Sequence, residues 1–304
     1  MRFLIYQESR QGARKSNQDR IAYSYSRDSL IMVVADGMGG HLHGELAAHI
    51  AVQFITDAFQ RQAQPRIEDP HRFLLDSITN AHLSILEYAD QRGLLETPRT
   101  TCVACIVQDG CAFWAHVGDS RLYLFREGRV EAVTKDHSRV QMLVDSGRLR
   151  EDAAAMHPDR NKIFNCLGQI NLPRVDISRR VVLKNSDTIL IATDGFWSPL
   201  SARIMLEALA EQDILKGVPE LMDLSETRAG NEGDNLSVVA MTWIDERQNS
   251  AQPATSISTM TLQPGDHETI AAGDEQSTPQ SHLSDDEIER AIEEIRTAIK
   301  KQTI

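Results

Sequence analysis

Met32-Val33-Val34-Ala35-Asp36-Gly37-Met38-Gly39-Gly40-His41 runs an apolar strand into a carboxylate and then into glycines. An aspartate at the end of a buried strand costs desolvation free energy unless a positive charge compensates it. Glycines remove the side chains that would keep a ligand or ion at a distance. The combination points to a cation site.

The pattern recurs. Ile189-Leu190-Ile191-Ala192-Thr193-Asp194-Gly195 is a second apolar run ending in Asp-Gly, and Phe113-Trp114-Ala115-His116-Val117-Gly118-Asp119-Ser120 ends a third run in an aspartate. Asp234, in Gly233-Asp234-Asn235, instead precedes the apolar run Leu236 to Trp243. In antiparallel pairing the end of one strand lies beside the start of its neighbour, so these aspartates are expected to meet on one sheet edge. Carboxylates gathered in that way ionise together only where divalent cations neutralise them. Oxygen-only ligands favour Mg²⁺ or Mn²⁺ over zinc. Any single Asp-Gly after an apolar run reads more readily as a turn, so the constellation carries the inference.

Length and composition set the frame. The chain has 304 residues, 41% of them apolar, enough for one large domain or two small ones with a packed core. A formal net charge of −12 argues against nonspecific binding of nucleic acid or an anionic membrane. There is no run of 18 apolar residues and no signal-peptide pattern, so a cytoplasmic location is expected. Cys102 and Cys105 have zinc-knuckle spacing but sit in a strand-like stretch that sends them to opposite faces, so buried reduced thiols are expected.

Residues Ser29 to Ala35, Thr101 to Val107, Ala112 to Val117, Arg121 to Phe125, Thr188 to Thr193 and Leu236 to Trp243 read as strands, several apolar throughout as when both faces are covered. Leu46, Ala47, Ile50, Ala51, Phe54, Ile55, Ala58 and Phe59 share one helical face; Ile78, Ala81, Ile85 and Ala89 mark a second helix beyond Pro70. Sheets covered by paired helices predict a layered α/β architecture with antiparallel sheets inside. From Gln248 to Ser281 the chain is rich in Ser, Thr, Gln, Pro and Gly, so residues 246–283 are expected to form an unstructured linker after a domain at 1–245. Ser284-Asp285-Asp286-Glu287 then looks like a capping box, and Ile288, Ile292, Ile295 and Ile299 predict an amphipathic helix over 284–301. That helix either packs back on its own domain or docks onto another protein. From Asp245 onward 12 acidic residues face five basic ones, so most of the net charge belongs to the tail.

Together, Gly12-Ala13-Arg14-Lys15-Ser16-Asn17-Gln18-Asp19, Ala35-Asp36-Gly37-Met38-Gly39-Gly40-His41, His116-Val117-Gly118-Asp119-Ser120-Arg121, Thr134-Lys135-Asp136-His137-Ser138, Thr193-Asp194-Gly195 and Gly233-Asp234-Asn235 resemble, in order, the motifs of the PPM family, the bacterial-type PP2C protein phosphatases. Six ordered motifs over residues 1–244 are far more specific than any one of them. The resemblance implies a central antiparallel β-sandwich flanked by pairs of antiparallel helices (α-β-β-α) and a metal-dependent phosphoserine and phosphothreonine phosphatase that reverses kinase signalling. It implies that Asp36 bridges two Mn²⁺ or Mg²⁺ ions, with the Gly37 carbonyl on one and Asp194 and Asp234 on the other. Asp119, with Asp194, matches the position of a third ion. Arg14 matches the arginine that holds phosphate, and Asp19 matches an acidic residue that orients water.

Two such cations lower the pKa of a shared water, whose hydroxide would attack phosphorus in line without a phosphoenzyme. His41, beside the metal loop, is the candidate general acid for the leaving alkoxide. For His41 the alternative is a loop histidine bonded to a carboxylate; for Arg14, a solvated charge beside Arg10 and Lys15. Lys135, Asp136 and His137 read as a structural junction. Residues 138–168 resemble the flap of bacterial members. Arg99 departs from the glycine that many members carry there.

The expected partners are phosphoprotein substrates, with a protein partner for the tail helix as a further option. The domain is expected to be monomeric, with no nucleic acid or membrane. Competing functions are a catalytically silent phosphoprotein-binding scaffold, disfavoured by the retained aspartates and Arg14, and hydrolysis of a small phosphate ester. The chain has no Gly-x-x-x-x-Gly-Lys loop, no Asp-x-Asp nucleophile motif and no cysteine followed six residues later by arginine.

Overall fold

The computed structural model describes residues 1–38, 44–154, 156–211, 213–244, 258–261 and 267–271. In chain order the elements are β1 (Arg2–Arg10), β2 (Arg20–Tyr25), β3 (Ser29–Ala35), β4 (Gly37–Met38), helices α1 (Gly44–Gln62) and α2 (Pro70–Gln91), then β5 (Arg99–Thr100), β6 (Cys102–Gln108), β7 (Cys111–Val117), β8 (Arg121–Arg126) and β9 (Arg129–Val133). The short helices α3 (Arg139–Asp145) and α4 (Glu151–Ala154) follow, then β10 (Asp176–Ile177), β11 (Val181–Val182) and β12 (Thr188–Ala192). Helices α5 (Asp194–Trp197), α6 (Ala202–Glu211) and α7 (Ile214–Ala229) lead to β13 (Leu236–Ile244), β14 (Ser258–Thr261) and β15 (His267–Ala271).

Two antiparallel sheets form the centre. One has the order β15-β1-β13-β12-β8-β9; the other has β10-β7-β6-β3-β2-β14, with β11 also on β7. The period of two along each strand sorts side chains into layers. On β3, Leu30, Met32 and Val34 pack between the sheets with Val239 and Met241 of β13, whereas Ile31, Val33 and Ala35 pack under α1 and α2. On β12, Ile189 and Ile191 face the inter-sheet core and Leu190 and Ala192 face α5 to α7. Three apolar layers thus separate helices, sheet, sheet and helices, which is the expected α-β-β-α sandwich.

Cys102 lies in the helix-side layer and Cys105 between the sheets, and all four cysteines are free and buried. Helix α2 is capped by Asp69, which accepts from the Arg72 N–H at 3.1 Å, and Pro70 fills the first turn.

The expected linker needs correction. β14 pairs with β2 and β15 with β1, each at a sheet edge, and Met1–Ala272 forms one compact unit. Edge strands of four or five residues hold by backbone hydrogen bonds and need no apolar run, so the Ser/Thr-rich composition hid them. The expected helix over 284–301 lies outside the described residues. Among the described residues, no helix is long and apolar enough to cross a membrane.

Candidate metal and phosphate site

The aspartates converge, but from two sheets rather than along one edge. Asp36 and Asp119 follow β3 and β7 of one sheet; Asp194 follows β12 and Asp234 precedes β13 of the other. Packing face to face brings the same ends of both sheets together, so each sheet delivers two carboxylates to one mouth of the sandwich.

Local bonds fix each position. The Asp36 N–H donates to Thr101 Oγ1 at 3.0 Å, and its carbonyl accepts from the Thr101 N–H at 2.9 Å and the Thr100 hydroxyl at 2.8 Å. Thr101 Oγ1 also meets Ser120 Oγ at 2.7 Å, tying the Asp36 turn to the Asp119 turn. Gly118, at φ +105°, allows that second turn; a Cβ there would stand 2.6 Å from Thr101 Cγ2. The Trp197 indole N–H donates to the Asp119 carbonyl at 3.1 Å.

A Cβ on Gly37 would lie 2.2 Å from the Gly44 carbonyl oxygen and 2.6 Å from that of Gln18, so only glycine admits this close approach. Asn235 organises the other side. Its Oδ1 accepts from the Gln18 N–H at 2.8 Å, and its Nδ2 donates to the carbonyls of Gln11 at 2.7 Å and Ser16 at 2.9 Å. This clamp presses the loop carrying Arg14 against Asp234, and Arg14 Nη2 donates to Asp234 Oδ2 at 2.7 Å.

These residues open on a cavity of about 750 Å³ lined by Arg14, Asp36, Gly37, Asp119, Asp194 and Asp234. Asp19 is buried and accepts from the Thr193 hydroxyl at 2.8 Å, while its Oδ1 has no hydrogen-bond partner among the described residues. His41 lies outside the described residues. Met38, three residues before it in sequence, lines the cavity.

Several lining residues escaped the sequence: Lys15, Ser16 and Gln18 beside Arg14, Asn235 as the clamp, and Asn161 and Ile163 from segment 138–168. The Gly-Asp-Asn motif was a signal for Asn235. Nothing local signals Asn161, because it arrives by a long-range return in which Ser138 bridges Ile163.

Electrostatics show what the cavity lacks. Burial raises the Asp194 carboxyl to about 6, with Asp234 adding to the shift, and burial raises Asp19 to about 7 against the opposing hydroxyls of Ser237 and Thr193. Asp36 is pushed well up by burial and then by Asp19, Asp194, Asp119 and Asp234; Asp119 is pushed up by burial and then by Asp194 and Asp136. Carboxylates that repel each other in this way want positive charge. The donor set is all oxygen, the preference of Mg²⁺ and Mn²⁺, so the residues present fit such ions. The aspartates are spread around the wall. The tight donor group among the described residues, with atoms within 4.8 Å of one another, is instead His116, His137 and Asp176.

An anionic, oxygen-lined cavity with a guanidinium at its rim, at the open end of an α-β-β-α sandwich, defines a metal-dependent phosphatase in class. Comparisons with known proteins narrow the class. Residues 7–229 match the family model described as protein phosphatase 2C. The chain is 32% identical over 230 residues to the serine/threonine phosphatase stp of Listeria monocytogenes, covering 74% of this chain and 90% of that protein. The structure of the S. agalactiae serine/threonine phosphatase superposes with a TM-score of 0.71 at 28% identity, over 80% of this chain and 100% of that one. The catalytic domain of PstP in complex with two manganese ions gives a TM-score of 0.68 at 27% identity, over 80% of this chain and 100% of that one. The chain belongs to the protein phosphatase 2C family and is a metal-dependent protein serine/threonine phosphatase.

Proposed function

We propose that Asp36, the Gly37 carbonyl, Asp194 and Asp234 would hold two Mn²⁺ or Mg²⁺ ions and that Asp119 with Asp194 would hold a third. The observation that carries this is the convergence of these aspartates from both sheets on one cavity, with the carboxyls of Asp36, Asp119 and Asp194 raised by burial and then by neighbouring carboxylates. When bound, the ions supply the neutralising charge and Lewis acidity that make water a nucleophile at neutral pH.

The chain's own residues do the rest. Arg14, half-exposed at the rim, offers a planar fork to two phosphate oxygens and stabilises the charge that develops on them. Asp19, buried and accepting from the Thr193 hydroxyl, is the proposed residue that orients water. In the displacement the new P–O bond forms to the oxygen of water and the bond to the serine or threonine oxygen breaks. His41 is the proposed donor of the proton which that alkoxide needs, from its place in sequence between Gly37 and Gly44. The substrates are phosphoproteins made by serine/threonine kinases, met by a monomer in the cytoplasm.

The test is release of phosphate from a phosphothreonine peptide with and without Mn²⁺. Metal-dependent release that Asp36→Asn abolishes, with circular dichroism unchanged, is expected. Release that persists in Asp36→Asn would remove Asp36 from the centre of the site.

A further inference from the structure

His137 sits in none of the roles above, yet it touches three parts of the molecule. Its backbone N–H donates to the Gly118 carbonyl at 2.9 Å, and its ring Nδ1 accepts from the Gly118 N–H at 3.2 Å. Both polar groups of the residue preceding Asp119 are thus held by one histidine. The same Nδ1 accepts from Asn165 Nδ2 at 2.7 Å, and the His137 carbonyl accepts from the Phe164 N–H at 3.0 Å. Asn165 is itself fixed, donating to the Arg174 carbonyl at 2.7 Å and accepting from the Arg174 N–H at 3.0 Å. His137 therefore binds the start of segment 138–168 to its far end and both to the Asp119 turn.

The His116, His137 and Asp176 donors invite a metal assignment, and the hydrogen bonds argue against it. The Gly118 N–H can only donate, so Nδ1 of a neutral His137 carries the lone pair and Nε2 carries the proton. Nε2 is then a donor, buried and 3.5 Å from Asp176 Oδ2, and not a ligand atom. The His116 and His137 rings stack at 4.8 Å with planes 19° apart, so their in-plane lone pairs do not converge on one ion. His116 Nε2 meets the Lys135 carbonyl at 2.8 Å, which braces the stack from behind.

We propose that His137 is a positioning residue: a latch that joins the Asp119 turn to both ends of segment 138–168, so that the packing of this segment sets how Asp119 is presented to the cavity. Asn161 and Ile163, which line that cavity, lie on the same latched stretch. Substrate contacts on the segment and the carboxylate at the site's edge then respond to each other. The part that concerns ion binding rests on the assignment of Asp119 to a third ion.

The experiment uses the full chain with His137→Ala, Asn165→Ala and His137→Asn, and Asp119→Asn as reference. Hydrogen exchange is measured on metal-free protein, and Mn²⁺ binding by calorimetry. In His137→Ala and in Asn165→Ala, exchange should rise together at residues 118–120 and 162–167. The ion lost in Asp119→Asn should bind about 10- to 100-fold more weakly while the others keep their affinity, the range seen when a ligand's supporting residue is removed. His137→Asn, whose side-chain oxygen can accept from the Gly118 N–H, should recover part of both effects. Faster exchange at 162–167 with residues 118–120 unmoved would overturn the latch, as would equal weakening of every ion. If His137→Ala does not fold, Asn165→Ala decides between the same outcomes. Unaltered Mn²⁺ binding in Asp119→Asn would instead strike down the third-ion assignment, and exchange alone would then judge the latch.

Discussion

The Arg14 guanidinium lies 2.7 Å from Asp234 across the cavity mouth, pairing the candidate phosphate-binding residue with a candidate metal ligand. Both side chains are partly exposed, so the pair itself stabilises the fold little. Its consequence is competition: a cation on Asp234 weakens that carboxylate's hold on Arg14 and frees the fork for phosphate. Arg14→Ala is expected to lower kcat/KM on a phosphopeptide about 100-fold, the range for losing one charged oxyanion partner, while Mn²⁺ affinity holds or rises. Arg14→Lys should recover only part, because an ammonium cannot bridge two oxygens. Steady-state kinetics with a parallel Mn²⁺ titration checks both, and weakened Mn²⁺ binding in Arg14→Ala would refute the competition.

Stability of the metal-free protein should depend on pH in an unusual direction. The carboxyls of Asp19, Asp36, Asp119 and Asp194 all lie above their ordinary value of 3.8 in the folded state, Asp194 at about 6 and Asp19 at about 7. Between the unfolded and folded values the folded protein holds more protons, so their contribution is fully present below about pH 4 and is lost as pH rises through about 6 to 7. Tm of metal-free protein should therefore fall across that window. Asp36→Asn should raise Tm near pH 7.5 and flatten the slope, which separates the carboxylates from other titrating groups. Mn²⁺ at about 100 times its Kd should restore about 2.7 kcal/mol in the parent. A metal-free Tm that climbs through the window, or a slope unchanged in Asp36→Asn, would contradict this account.

Gly37 makes a steric prediction. Its missing Cβ is what lets the turn after Asp36 press on the Gly44 backbone, and backbone cannot step aside as a flexible side chain can. Gly37→Ala should cost about 1–3 kcal/mol, the range for overpacking, and should displace the Asp36 turn from its bonds to Thr101. Activity should fall well beyond what the stability loss explains at a temperature where the variant is folded. An active Gly37→Ala enzyme with parent-like Mn²⁺ affinity would show that the close approach is dispensable.

What the sequence made legible follows from burial. β3, β7 and β12 are covered on both faces and read as continuous apolar runs, and the aspartates showed because each one bounds such a run. β1 and β2 did not read as strands because they bury Gln7, Glu8, Ser9, Arg20 and Ser24. Ser9 and Glu8 find partners that a periodicity count does not see, Ser9 with the distant Ser237 and Glu8 with Tyr6. In α7, Pro219 interrupts a face formed by Val218, Leu221 and Met222, and the helix went unread. His137 read as a junction. Its grip on Gly118 and Asn165 depends on tertiary placement that no spacing encodes.

The edge strands change where the catalytic domain should be cut. Ending the chain after Arg247 removes β14 and β15 and bares β2 and β1 at the borders of the two sheets. Among the described residues no cavity-lining residue lies beyond Asn235, so hydrolysis of a phosphopeptide should survive that cut. Stability should not: Tm should drop by roughly 2–4 °C for each kcal/mol of lost pairing, and exposed edges should promote self-association. A chain ending at Gly273 keeps both strands and should match the parent in Tm and in scattering. Equal Tm for the two truncations would mean that β14 and β15 contribute nothing to the domain. Loss of hydrolysis by the shorter chain, at a temperature where its circular dichroism shows it folded, would mean that residues beyond 247 shape the site itself.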